Sequence, residues 1–82
     1  MNLCFLIGKI ISDIDFRFII NSKNISIAIF ELQLSNKSIV KVKAYNETAD
    51  YCCRELIIND MVSIQGELSN NTEIIINDIE LI

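Results

Sequence analysis

Histidine, tryptophan and proline are absent from this chain of 82 residues. Without histidine there is no imidazole to serve as a general base, a triad member or a zinc ligand. The cysteines, Cys4, Cys52 and Cys53, are odd in number and two are adjacent, which suits neither a disulfide framework nor zinc spacing. They read as small buried hydrophobes of a reducing compartment. Glycine occurs twice, at Gly8 and Gly66, so there is no glycine-rich phosphate loop. Asp13/Asp15 and Asp78/Glu80 are paired carboxylates at strand spacing, which read as solubilising charges rather than an acid–base pair. No enzyme, cofactor or metal is expected. The start lacks the basic cluster and long apolar run of a signal peptide, and no stretch is long enough to span a bilayer. Cations are scarce too: 7 Lys and Arg against 11 Asp and Glu leave a net charge of −4. That balance weakens long-range attraction to phosphates but permits a local basic stripe.

Apolar residues are plentiful instead. They make up 51% of a chain whose length suggests a single domain, residues 1–82. That is more than a small interior holds. The surplus belongs on the surface, where it reads either as cover for a partner or as the isoleucine-rich usage of an AT-rich genome.

The order of elements is the most informative feature. Asn2 to Ile11 (NLCFLIGKII) is a β-rich run in which Leu3, Phe5 and Ile7 share one face while Cys4 and Leu6 make the other apolar as well. Self-association through this strand is expected, since both faces need cover. Phe16 to Ile20 extends a strand edge, with a turn at Asn21–Asn24. Ile25 to Leu34 is the second long strand, and its apolar parity changes near Ile29-Phe30, which predicts a bulge. Ser35–Ser38 is a hairpin. In Ile39 to Tyr45, Val40, Val42 and Ala44 point one way, and Ile39, Lys41, Lys43 and Tyr45 the other. Asn46 to Leu56 reads as a helix with Asn46 as N-cap and with Ala49, Cys52, Cys53 and Leu56 on its sealing face. Asn59 is expected to end that helix in the left-handed conformation. Met61 to Leu68 is a strand with Val62, Ile64 and Leu68 inward, Ser69–Thr72 a turn, and Glu73 to Ile82 the last strand. Glycines inside the first and fourth long strands mark bends or close backbone approach, as a closing barrel needs. Antiparallel strands are ordinarily joined by tight hairpins. A helix spliced between the third and fourth long strands is the plug of an OB-fold, so the expected fold class is all-β: a five-stranded OB-fold barrel with one short helix.

Several stretches together resemble the single-stranded DNA-binding protein family of bacteria and plastids. They are NLCFLIGKIISDIDFRF, with Leu-Ile-Gly, a spacer, and an acidic residue before Arg17 and Phe18; IAIFELQL; and VKAYNETADYCCRELIINDMVSIQGEL. The likeness covers almost the whole chain. It is narrowest to short, tail-less members encoded in algal plastid and cyanobacterial genomes, which implies the plastid stroma or a bacterial cytoplasm. The resemblance implies an OB-fold that binds single-stranded DNA or RNA by tracking phosphates and stacking bases on aromatics. Tyr45 matches a stacking position, and Lys41 and Lys43, with Arg17 and Lys9, supply the cations. Lys41, Lys43 and Tyr45 read equally as the solvated or interface side of an ordinary strand.

The chain departs from the family at several points. Ile39 stands where an aromatic is usual, the hairpin loops are reduced to Ser35–Ser38 and Ser69–Thr72, and Ile57, Ile58 and Asn59 follow the helix in place of basic residues and glycine. The family's acidic-tipped tail has no counterpart in these residues. These departures favour a second role, a structural or adaptor subunit packing against proteins of a larger plastid assembly such as a photosynthetic complex. Ile57, Ile58, Cys4 and Leu6 are its expected protein-interface residues. The predicted partners are thus single-stranded nucleic acid, a second copy of the chain, or a protein complex.

Overall fold

The computed structural model describes residues 3–69 and 72–82. Along the chain run β1 (Leu3–Ile10), β2 (Asp15–Ile19), β3 (Ile25–Leu34), β4 (Ile39–Tyr45), α1 (Asn46–Glu55), β5 (Met61–Leu68) and β6 (Ile74–Leu81). The strands are hydrogen-bonded in the order β1-β5-β6-β4-β3-β2, and a further β1–β3 pairing closes the first five into a barrel. β2 lies outside that ring and, among the described residues, pairs with Ile25–Ile29 of β3, so the predicted edge extension is present. Closure uses two short ladders. One joins Gly8–Ile10 to Leu32–Leu34, and the other is a parallel contact of Val42 and Lys43 with Ile74 and Ile75.

Alternation explains the core. Ala28, Phe30 and Leu32 of β3, Val42 and Ala44 of β4, and Val62 and Ile64 of β5 are fully buried, with Ile10, Ile74, Ile76 and Ile79 completing the interior. Three expectations fail here. β3 keeps one parity throughout, because Ser26 takes an inward position at 6% exposure and the pairing to β2 and β4 runs without a shift. Among the described residues the register shift lies elsewhere: Gln65 pairs with Asp78 but Gly66 with Ile76, leaving Asn77 as the extra residue of β6. Beyond that shift Leu68 is exposed rather than inward.

Both glycines mark close backbone approach. A Cβ on Gly8 would lie 2.9 Å from the Gln33 carbonyl oxygen, and one on Gly66 would lie 2.5 Å from the Ile75 carbonyl oxygen. Neither has a positive φ, so the requirement is for space.

α1 corks one end of the barrel, packing mainly on β3 and also on β4 and β6. Ala49, Cys52 and Leu56 form its buried face, and Tyr51 packs beside them; Cys53 is exposed, one position off that stripe. Burial pushes the Cys52 thiol up from 9.0 to about 11, because the thiolate loses its hydration there. Asn46 is not the N-cap. It opens the helix at φ 55, and Tyr45 before it is extended and makes no side-chain cap bond. An Asn tolerates this left-handed entry where bulkier residues do not. Asn59 is left-handed as expected (φ 79), but it belongs to the next turn rather than to the helix end, which is an extended Leu56. That turn is held by the Ile57 N–H donating to Asp60 Oδ2 at 2.9 Å, and it is tied to β1 by the Asn59 N–H donating to the Ile10 carbonyl at 2.7 Å.

The remaining turns follow from asparagine chemistry. Asn21 Oδ1 accepts from the N–H groups of Lys23 and Asn24, and Asn36 Oδ1 accepts from the Ser38 N–H. Of the expected Ser69–Thr72 turn, Asn70 and Asn71 lie outside the described residues, as does Asn2 of the first strand. The flanking Ser69 N–H donates to the Glu73 carbonyl at 2.8 Å.

Candidate nucleic-acid interface

Register places the predicted cations on one surface. Residues directly opposite in neighbouring strands point to the same side of a sheet. Arg17 faces Ile27, which faces Tyr45, making one row across β2, β3 and β4. The next row is Asp15, Ile29, Lys43 and, across the parallel contact, Ile75. Glu31 and Lys41 form a third, and Lys9, Gln33 and Ile39 a fourth. Lys9, Arg17, Lys41, Lys43 and Tyr45 therefore all stand on the outward side of a continuous β1–β3–β4 surface with β2 as its wing. From Gln33 to Ile27 this surface runs six residues along β3, about 20 Å at strand rise. Isoleucines floor it: Ile25, Ile27 and Ile29 are half-buried, and Ile39 is 56% exposed.

Carboxylates are interleaved with the cations. Arg17 Nη2 lies 3.0 Å from Asp15 Oδ2, an exposed pair worth little stability. Lys43 Nζ lies 3.5 Å from Glu73 Oε1 with both side chains mostly covered. Glu31 stands opposite Lys41. Four cations thus share the face with three carboxylates, in contrast to the net −4 of the chain. Lys9 borders a separate cleft of about 490 Å³ between β1 and the Ser35–Ser38 hairpin, which also includes Lys37.

Two points about the composition of this face are not legible in the sequence. Glu31 and Glu73 belong to it; the tight hairpin at Ser35–Ser38 sets Glu31 across from Lys41. Phe16 and Phe18, 36% and 55% exposed, sit opposite Ala28 and Ser26. They therefore point to the other side of β2 from Arg17 and do not add aromatics to this face.

The predicted protein-interface residues divide. Ile57 and Ile58 are both exposed, beside a shallow cleft that also includes Ile14 and Cys53. Cys4 and Leu6 are half-buried and pack inward against the core, so they do not form the outer face of β1. That face consists of Leu3, Phe5 and Ile7, of which Phe5 is 75% exposed. Alternation forces this split, since Gly8 and Ile10 of the same parity as Cys4 are buried.

No protein-family model matches the chain, and no curated protein matches it by sequence. Solved structures do match it in shape. The single-stranded DNA binding protein from Thermus aquaticus superposes with a TM-score of 0.89 at 22% identity, over 100% of this chain and 40% of that one. The SSB domain of a Synechococcus protein superposes with a TM-score of 0.86 at 21% identity, over 98% of this chain and 94% of that one. The chain has the fold of a single-stranded DNA-binding protein. A mitochondrial single-stranded DNA binding protein from S. cerevisiae shares it too, with a TM-score of 0.82 at 14% identity over 99% of this chain. The chain thus spans less than half the length of the Thermus protein but nearly all of the Synechococcus domain. These neighbours are named as binding proteins, and among the described residues no helix is long and apolar enough to cross a membrane.

Proposed function

We propose that this chain binds single-stranded DNA or RNA through the outward face of β4 and its flanks on β1, β2 and β3. One observation carries the reading: Lys9, Arg17, Lys41, Lys43 and Tyr45 come from three strands yet share one surface joined by β3. The action is binding without chemistry. Cations follow the phosphates, while bases lie on Tyr45 and the isoleucine floor. Affinity is modest, because a stacked base contributes roughly 1–3 kcal/mol and this face carries a single aromatic. The test is fluorescence anisotropy with a labelled thymine oligomer at low salt. Binding weakened by Tyr45→Ala and Lys41→Ala is expected. No binding up to about 100 μM, the ordinary range of non-specific affinity, would refute the proposal.

A second reading has its own support. β3 pairs with β1 only from Gly8 onward, so Leu3–Ile7 lies outside that ladder and displays Leu3, Phe5 and Ile7 outward. An apolar strand edge of this kind takes another strand. We propose self-association there, and an adaptor role in a larger plastid complex if nucleic-acid binding fails its test. A chain that remains monomeric in sedimentation at high concentration, and recovers no protein from its native source, would sink this second role. The exposed Cys53 thiol favours a reducing compartment, the plastid stroma or a bacterial cytoplasm. Cell fractionation that places the chain in an oxidising compartment would overturn that placement.

A further inference from the structure

We propose that the open edge of β2 docks β2 of a second copy of this chain, the two strands lying antiparallel with Phe16 opposite Phe16. This contact is separate from the apolar face of β1. β2 ends the strand order, and among the described residues it pairs with β3 alone. All five of its residues are exposed.

Backbone parity identifies the groups on that edge. The Glu31 N–H donates to Ser12 Oγ, and its carbonyl accepts from the Ile11 N–H, so Glu31 turns its backbone toward the side of β3 that holds β1 and β2. Ile29, Ile27 and Ile25 share its parity and meet Asp15, Arg17 and Ile19 across the ladder. Phe16 and Phe18 therefore turn their N–H and C=O groups the other way, to the open edge. Such a row is a template for another strand, and edges are ordinarily guarded by lysine, proline or a bulge. Asp15–Ile19 (DFRFI) contains neither residue and pairs with β3 without a register shift.

Charge decides both the occupant and the register. With Phe16 opposite Phe16, Asp15 of each copy stands opposite Arg17 of the other. These positions alternate with the hydrogen-bonded pairs, and their side chains approach most closely. In one chain Arg17 Nη2 lies 3.0 Å from Asp15 Oδ2, with both side chains exposed. Docking turns that pair into a ring of alternating charges. Centred on Arg17 instead, the contact would set Arg17 against Arg17, and like charges directly opposite repel. Centred on Phe18, it would set Arg17 against Ile19 and lose both ion pairs. On the other side of the strands the two Phe16 rings, each 36% exposed, cover one another. The row Tyr45–Ile27–Arg17 of one copy then continues into Asp15–Ile29–Lys43 of the other, which joins the outward faces of two copies into one sheet surface.

β2 spans only five residues, so the contact is short-lived, and covalent trapping reads it where sedimentation does not. The full chain carries Phe5→Glu to disable the β1 face and Cys53→Ser to remove the exposed thiol. Phe16→Cys added to it should give a disulfide dimer under mild oxidant, because hydrogen-bonded partners stand about 5.5 Å apart at Cα. Phe18→Cys should not, because in this register the two Phe18 positions lie about 13 Å apart. Asp15→Arg or Arg17→Asp, each added to Phe16→Cys, should slow trapping by roughly fivefold or more. Mixing those two chains should restore it as a heterodimer resolved by mass, since arginine again stands opposite aspartate. Thermal melts check that every variant folds. No trapping from a folded Phe16→Cys chain, equal trapping through Phe18→Cys, or a mixture no faster than its separate chains overturns the proposal.

Discussion

Gly66→Ala tests barrel closure most directly. A Cβ at Gly66 would sit 2.5 Å from the Ile75 carbonyl oxygen and 2.8 Å from Ile74 Cγ2, where ordinary contact begins at 3.4 Å. The shortfall against the carbonyl is 0.9 Å, and backbone cannot swing aside as a side chain does. β5 and β6 must part at the register shift beside Asn77. Overpacking of this sort costs about 1–3 kcal/mol, and each ladder bond lost with it about 1 kcal/mol more. Against this, replacing glycine restricts the unfolded chain and returns about 0.4–1 kcal/mol. A net loss of about 3 kcal/mol is expected. A domain of this size has roughly 4–12 kcal/mol in total, and each kcal/mol shifts its Tm by about 4–8 °C. Gly66→Ala should therefore melt at least ~12 °C below the wild type. Gly8→Ala is the internal control: its closest contact is 2.9 Å, so the same argument predicts a smaller drop. Thermal melts followed by circular dichroism decide the matter. A Gly66→Ala protein that melts within ~2 °C of the wild type, or one more stable than Gly8→Ala, refutes the reasoning.

Other outcomes follow from the same structure. The Cys52 thiol is held up near 11 against 9.0 when exposed, so the folded state keeps its proton longer. The stability this represents, up to about 3 kcal/mol, is complete below pH 9 and is lost as pH rises toward about 11. Chemical denaturation should show wild type losing its advantage over Cys52→Ala across that window, and a constant difference would contradict it. A thiol reagent should modify exposed Cys53 rapidly and Cys52 only on unfolding; equal rates would place the helix face wrongly. Salt titration of oligonucleotide binding should give a log–log slope no steeper than about −3, from four cations at about −0.7 each on a single strand, and a slope of about −5 would require phosphate contacts beyond this face. Phe5→Glu should abolish self-association in sedimentation without lowering the Tm, because Phe5 is 75% exposed; unchanged assembly would move the interface off β1.

Period-two alternation and the strand–helix–strand order were legible without coordinates. Ile25 to Leu34, Ile39 to Tyr45 and Met61 to Leu68 are strands with those bounds, and the helix differs by one residue at its end. Such patterns are local: side-chain direction in a strand and the spacing of Ala49, Cys52 and Leu56 depend only on neighbours along the chain. The glycines were legible for the same reason, as interruptions inside strands. Where local signals misled, a non-local fact was missing. Ile25, Ile27 and Ile29 are apolar at odd positions and Phe30, Leu32 and Leu34 at even ones, which suggests a parity change in β3; in the fold the odd isoleucines are half-buried on the outer side while Ser26 is covered on the inward one. Cys4 and Leu6 looked interchangeable with Leu3, Phe5 and Ile7, and only the wrap of β1 around the core separates them.

The chain alone determined its strands, its plug and its scarcity of cations, since these reside in residue type and spacing. Tertiary structure decided which charges meet. Lys43 reaches Glu73 only because β6 returns parallel to β4, and Arg17 joins Tyr45 only through Ile27 of the strand between them. Electrostatic and stacking interactions act across space over a few ångströms, and the folding of the backbone alone brings residues so distant in sequence within that range.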